Sequence, residues 1–416
     1  MRAWAVLFSV ALSLAVAGCG VGGSAVSYNN DHAYALAVQS DGKIVAAGDS
    51  YNPVSGWHVA LMRFNADGSL DNAFGNAGKA LPSIYGGARS VAIQGDGKIV
   101  VGGVAYDGLY VQVARYNSNG SLDAAFGSGG TMLTVLNGGI AALAIQSDGK
   151  IVAAGYTFNG IGYDFALLRY NSNGTLDTTF GTNGIVRTPT VAYTIYGSGA
   201  DNVAIQSDGR IIAAGGSYLV RYTASGTLDN TFGTGGVVLS GSYYEQTSGL
   251  AIQTDGKVVA AGASYNFAAS SNDIAVSRYN SDGSPDTTFA GTGRMVATIR
   301  SLYVLAPANA MVETVSGRIV AAAYSQYQSA IVRYISDGTP DATFNSGGKM
   351  ILANGSNWGG SGMVRSTAIQ GDGKILIAGS AYVDPASGDE FALERFNSDG
   401  SVDTGFGNDG VVFAGL

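Results

Sequence analysis

The sequence predicts an all-β fold, a seven-bladed β-propeller of four-stranded antiparallel blades. Three observations carry this. One element with a central Asp-Gly turn recurs seven times, a second element with Arg, Asp and Phe at fixed spacing follows each copy, and the composition favours turns over helices. "AVQSDGKIVAAG" begins at Ala37 and returns as "AIQGDGKIVVGG", "AIQSDGKIVAAG", "AIQSDGRIIAAG", "AIQTDGKVVAAG" and "AIQGDGKILIAG", with a degraded copy, "ETVSGRIVAAA", from Glu313. The turn glycines Gly42, Gly97, Gly149, Gly209, Gly256, Gly317 and Gly373 are 47 to 61 residues apart. This is the period of a small supersecondary unit that buries its faces against its neighbours.

Each unit reads as four strands. "ALAIQ" alternates into a two-residue turn, where Asp-Gly supplies the positive φ a hairpin needs. "KIVAAG" is nearly continuous in apolar character, as suits a strand buried on both faces. A variable loop leads to a third strand such as "DFALLRYN", then a turn, "NSNGTLDTTFG", and a short fourth strand such as "GIVRT". Radial packing of such units gives the propeller, with blades over 33–82, 88–135, 138–189, 200–240, 247–299, 308–353 and 364–416. The chain begins on a first strand and ends on a fourth, Val411 to Ala414. The ring is therefore expected to close by side-chain packing, unless residues 22 to 29 add a closing strand.

Composition agrees. The 416 residues include 63 Gly, and Lys and Arg total only 22 against 30 Asp and Glu, for a net charge of -8. A nucleic-acid partner would call for a basic face, and none is expected. Residues 1–18 read as a signal peptide, with Arg2 followed by an apolar run too short to span a bilayer. Val16-Ala17-Gly18-Cys19 resembles the bacterial lipoprotein signal, in which the cysteine is lipidated and becomes the mature N-terminus. Cys19 is the single cysteine, so no intrachain disulfide can form. Residues 19–32 then form the lipidated cysteine and a flexible tether. Gly20 is not the Asp of an inner-membrane retention signal, and the expected address is the cell envelope, at the outer membrane.

The paired "AIQSDGKIVAAG" and "RYNSDGSPDTTF" elements resemble the delta-60 repeat family of exported bacterial proteins (DUF5122-type), β-propellers of unknown function. The resemblance runs from residue 34 to 416. The order of strand, turn, strand and Arg-Tyr strand is also similar to NHL-type repeats, which implies that "ALAIQ" is innermost and "GIVRT" outermost. Blade 6 departs from the pattern at Ser316 and Ala323, so its inner turn is expected to be irregular.

The second element is strict. Arg63, Arg115, Arg169, Arg221, Arg278, Arg333 and Arg395 each precede an Asp by eight residues: Asp71, Asp123, Asp177, Asp229, Asp286, Asp341 and Asp403. Three residues further on stand Phe74, Phe126, Phe180, Phe232, Phe289, Phe344 and Phe406. This is the pattern of a clasp, in which guanidinium meets carboxylate across the turn and Phe fills the gap between blades. A calcium loop is the rival reading, since Asn171, Asn173, Gly174 and Asp177 have the right spacing. Arg169 stands where the first carboxylate ligand belongs, and copy 4 has Thr223 and Ser225, so no metal or other cofactor is expected.

The repeat-to-repeat differences fall in the second-to-third and blade-to-blade loops, which lie on the face opposite the fixed turns. "GYTFNGIGYD", "SGSYYEQTSG" and "YVDPASGDE" are rich in Tyr, Ser, Gly and Asn, a composition suited to binding surfaces. Trp57 and His58 of blade 1 and Trp358 and Tyr382 of blade 7 are neighbours in a closed ring and form the candidate ligand patch. The expected function is a monomeric, membrane-anchored binding or scaffold module for a protein or glycan. The alternatives are a glycosidase-like hydrolase using carboxylates on the loop face and a purely structural or adhesive envelope protein. Catalysis finds few candidates. His32 precedes the first blade, and with His58 the only other histidine a three-histidine zinc centre is excluded. Asp384, Asp389 and Glu390 form the one dense acidic group.

Overall fold

The computed structural model describes residues 29–416 apart from 106–107, 190–198, 241–244, 269, 302–305, 313–316, 325–327, 354–362 and 385–386. Seven four-stranded antiparallel units follow one another. Blade 1 comprises Asn29–Val38, Ile44–Asn52, Gly56–Phe64 and Lys79–Ala80. The first strands of blades 2 to 7 are Gly87–Ile93, Gly138–Ile145, Asn202–Ile205, Glu245–Ile252, Ala306–Val312 and Met363–Ile369. Each packs against the first strand of the next blade, and that of blade 7 packs on that of blade 1, so these strands ring a central channel.

The second strands explain the unbroken apolar runs. Ile44, Val45, Ala46 and Ala47 are wholly buried because blades cover both their faces. Between blades 1 and 2, Val45, Leu61 and Phe74 pack with Ile99, Val101 and Tyr116 in one cluster, and equivalent clusters fill the other seams. In blade 6, Val312 pairs with Ile319, leaving six residues in the inner hairpin where Ile93 and Ile99 of blade 2 enclose five. That hairpin's residues 313–316 lie outside the described residues.

A bulge interrupts the first strands at one recurring place. Ala33 pairs with Gly48 and Ala35 with Ala47, so the strand register steps past Tyr34. It steps past Arg89, Ala141, Ser248 and Arg365 in the same way in blades 2, 3, 5 and 7. The glycine that ends "KIVAAG" makes room for it. A Cβ on Gly48, Gly103, Gly155, Gly215 or Gly262 would lie 1.7 to 1.9 Å from a first-strand carbonyl oxygen. In blade 4 that carbonyl belongs to Gly199, and Asp201 occupies the equivalent place before Asn202, which pairs with Ala214. In blade 6, where Ala323 replaces the glycine, the gap widens to Pro307 and Ala308.

Closure differs from the expectation of packing alone. The first strand begins at Asn29, because Asn29 and Asn30 pair in parallel with Gly388 and Asp389 of blade 7. Leu416 N–H donates to the Asp31 carboxylate at 2.7 Å, and Lys79 Nζ donates to the Gly415 carbonyl. These contacts join the two ends of the described chain where other junctions have continuous backbone.

Candidate functional site

The fixed turns build one repeated assembly. In each blade the Arg Nε lies 2.6 to 2.9 Å from the Asp Oδ2, from Arg63–Asp71 round to Arg395–Asp403. The guanidinium carbon stands 4.5 to 4.9 Å above the ring of the Phe that follows, from Phe74 to Phe406. The same Arg donates through Nη1 to the next blade: Arg169 to Ala224 O, and Arg395 to Ala66 O across the closing seam. Backbone bonds accompany it, Gly181 N–H to Ser225 O at 2.9 Å and Gly407 N–H to Asp67 O at 2.7 Å. The Arg, Asp and Phe therefore join blade to blade, and do so seven times around the ring.

The spacing pattern left out a third charge. The residue after each turn glycine is always a cation, and it reaches the same Asp Oδ2: Lys43, Lys98, Lys150, Arg210, Lys257, Arg318 and Lys374, at 2.8 to 3.0 Å. Its signal in the sequence is the invariable Lys or Arg of "DGK" and "DGR". The oxygens of the calcium reading are engaged as well. Asn173 Oδ1 accepts from Thr175 N–H and Oγ1, and Asp177 Oδ1 accepts from Thr179 N–H and Oγ1.

On the opposite face, Trp57 and His58 part company because adjacent strand residues point to opposite sides. Trp57 stacks on His32, with ring centroids 5.0 Å apart, and touches Tyr51. His58 instead accompanies Tyr85 and bonds Ser55 Oγ at 2.8 Å. His32 is the histidine near the seam: its Nδ1 is 2.9 Å from Asp49, and its Nε2 is 3.8 Å from Asp389. Tyr382, exposed, pairs across its hairpin with Asp389. Trp358 and Cys19 lie outside the described residues.

The bulges supply what the loops alone do not. Tyr34, Arg89, Ala141, Asp201, Ser248 and Arg365 all line one cavity of about 590 Å³ in the channel. A bulge re-aims a side chain out of the sheet's alternation, and here six of the seven blades each place one residue from this position on the cavity. Arg89 and Arg365, from the blades flanking blade 1, stand 3.8 and 4.9 Å over the Tyr34 ring. Asp201 faces the channel from blade 4, across the ring from blade 1. Asp201 is exposed to the channel, and the walls that crowd it there draw water away and push its carboxyl up to about 6, which the Gly216 N–H offsets in part. A raised acid destabilises the fold above its unfolded value near 3.8 and costs nothing below it. Asp201→Asn is therefore expected to raise the melting temperature at pH 7.5 and to leave it unchanged at pH 3.5.

The comparisons place this architecture. The family model "Domain of unknown function (DUF5122) beta-propeller" matches residues 39–74, 94–126, 146–180, 206–232, 253–289, 316–344 and 370–406. The comparison with curated proteins finds no match. Among solved structures, the β-propeller domain of the Trilobed protease from Pyrococcus furiosus is similar at 8% identity and a TM-score of 0.49, covering 89% of this chain and 96% of that one. Sqt1 from Chaetomium thermophilum follows at 11% identity and 0.48, covering 91% and 84%. The polysaccharide lyase Uly1 stands at 11% and 0.46, covering 90% and 91%. With seven matched repeats over more than half its length, the chain belongs to the DUF5122 β-propeller family.

Proposed function

We propose that the protein is an exported, lipid-anchored binding module whose ligand seat is the variable-loop mouth of the propeller. One observation carries this reading. The clasp is the same in all seven blades, whereas the inward bulge residue changes from Tyr34 to Arg89, Ala141, Asp201, Ser248 and Arg365. Packing seven equivalent blades does not call for such variety, and a ligand with distinct sides does. The bulge lies two residues inside the first strand of blade 2, at its loop end. Trp57 and Tyr382 stand on the same face, so loops and belt form one approach. A glycosidase needs two carboxylates facing one bond. Among the described residues lining the bulge cavity, Asp201 is the carboxylate, whereas Asp384, Asp389 and Glu390 stand in the loops of blade 7, so a hydrolase reading would rest on that loop cluster. The anchor rests on Cys19 and the apolar segment before it.

The test has two readouts on one protein. Cys19→Ser should move it from the membrane to the soluble fraction. A glycan and peptide array probed with the soluble form should find a ligand whose retention falls when Trp57 and Tyr382 become Ala. Loss of neither membrane association nor ligand retention would overturn the reading.

A further inference from the structure

We propose that the propeller stands on a zwitterionic bilayer by its loop face, with the tips of its second-to-third hairpins inserted among the lipids. This rests on the protein being lipid-anchored and adds which face meets the membrane. Blades 7, 1, 2 and 3 are consecutive in the ring, and each carries an exposed aliphatic residue at or beside the tip of that hairpin: Val383, Val54, Leu109 and Ile161. Val54 is 95% exposed and Ile161 98%. Both are held there by the chain, since Asn52 Oδ1 accepts from the Val54 N–H at 2.9 Å and Asn159 Oδ1 from the Ile161 N–H at 2.9 Å. Blade 5 adds Phe267, also exposed. One such residue is ordinary on a protein surface, but a row of them along one rim marks contact with an apolar phase.

A second layer supports this. Tyr51, Phe158, Tyr265 and Tyr382 each stand three residues after the glycine that closes "KIVAAG" or its equivalent, and all four are exposed. They form a collar of rings behind the aliphatic tips. That is the order of a bilayer's own layers, since aromatic rings settle at the headgroup level and aliphatic side chains below it. The anchor arrives at the same face. Asn29 pairs with Gly388, the first residue of the third strand of blade 7, at its hairpin end. Cys19 is ten residues before Asn29, so the lipid is at most about 35 Å of chain from that rim. Charge selects the lipid. Residues 52–56, 105–109, 158–162, 266–270 and 383–387 contain no Lys or Arg, and Lys43, Lys98, Lys150, Lys257 and Lys374 are engaged on the opposite face. Tips without cations gain nothing from anionic headgroups and fit a net-neutral surface. Blade 4 turns through Gly216 and Ser217 alone, so the rim has a gap there through which the mouth stays open to water.

Fluorescence quenching tests this on the lipidated protein in phosphatidylcholine vesicles that carry a nitroxide on their acyl chains. Cys19, the single cysteine, is taken up by the lipid, so Val54→Cys, Ile161→Cys or Ser147→Cys each gives one site for a bimane label. Ser147 is exposed in the inner hairpin of blade 3, on the opposite face. The nitroxide should quench the labels at 54 and 161 at least about threefold more than the label at 147, and aqueous iodide should show the reverse order. A label at Leu109→Cys reports on its neighbours. Adding Val54→Asp and Ile161→Asp should cut its nitroxide quenching at least about twofold, because carboxylates draw the rim out of the lipid. All these positions are exposed, and Val54→Ser with Ile161→Ser replaces an Asp pair that melts early. Tip labels open to iodide would overturn the proposal, as would labels shielded from both quenchers, which would mean that the tips meet a second copy of the chain. Quenching at 109 unmoved by the Asp pair would overturn it too, since the dye alone would then be entering the lipid. Protein that floats with the vesicles while its tips stay in water overturns this inference and leaves the anchor standing. Protein that does not float overturns both.

Discussion

Asp177→Ala is expected to lower the unfolding free energy by about 3–5 kcal/mol, because it strands two cations around one buried site. Asp177 is 4% exposed, and its Oδ2 holds Arg169 at 2.8 Å and Lys150 at 3.0 Å. Removing the carboxylate also frees the Thr179 N–H it caps. Urea denaturation at pH 7 measures the loss, and a change below about 1 kcal/mol would place Asp177 among ordinary surface ion pairs.

The same carboxyls set the response to acid. All seven clasp aspartates lie below their ordinary value. For Asp229, burial would raise the carboxyl, but the Thr231 hydroxyl and N–H together with Arg221 and Arg210 bring it down to about 2. A depressed acid contributes stability that is full above the unfolded value near 3.8 and is lost as pH falls through the folded one. The urea midpoint should therefore hold down to about pH 4.5 and fall steeply between about pH 4 and pH 2.

The second large effect is expected from Gly155→Ala, with a loss of about 3 kcal/mol or more. The new Cβ would sit 1.8 Å from the Gly139 carbonyl oxygen, so the bulge around Ala141 must be rebuilt. Strain at φ is not the cause, since Gly155 has no positive φ. Ala323 in blade 6 shows the accommodation, a two-residue gap in place of one. A variant as stable as the parent would mean that the bulge can widen at little cost in any blade.

The fold was legible because its signals repeat. The Asp-Gly hairpin turns, the apolar "KIVAAG" runs and the Arg-Asp-Phe spacing each point to the same four-stranded unit. The site was less so, for reasons specific to its residues. The glycine closing "KIVAAG" was visible in the sequence, but the carbonyl it admits belongs to another strand, so the bulge was not. Read in alignment, the column holding Tyr34, Arg89, Ala141, Asp201, Ser248 and Arg365 is the variable place within a conserved strand, and that contrast was the available signal. His32 precedes the first repeat of the sequence, yet the strand extends back to Asn29 and carries it to Trp57 and Asp49. Trp57 and His58 look like one patch in a string, but strand alternation sends them to different faces. The Lys of "DGK" passed as a turn residue because its Asp lies 27 to 29 residues away in most copies, as with Lys150 and Asp177 or Lys43 and Asp71.

Seven equivalent junctions close the ring, the last between blades 7 and 1. Gly68 and Gly174 occupy matching turns with φ of 88° and 89°. A Cβ on Gly174 would meet Gly127 N at 2.7 Å and the Phe126 ring at 3.0 Å, within the chain's ordinary sequence of blades. On Gly68 it would meet Gly407 N at 2.9 Å and the Phe406 ring at 3.0 Å, across the closing seam. Gly42→Ala, at φ 84° with its nearest neighbour 3.6 Å away, reports backbone strain alone. Urea unfolding of the three alanine variants decides the matter. A closed ring predicts that Gly68→Ala and Gly174→Ala cost the same within about 0.5 kcal/mol and that both cost more than Gly42→Ala. A Gly68→Ala variant that matches Gly42→Ala while Gly174→Ala stands apart would contradict it, because the seam would then be open.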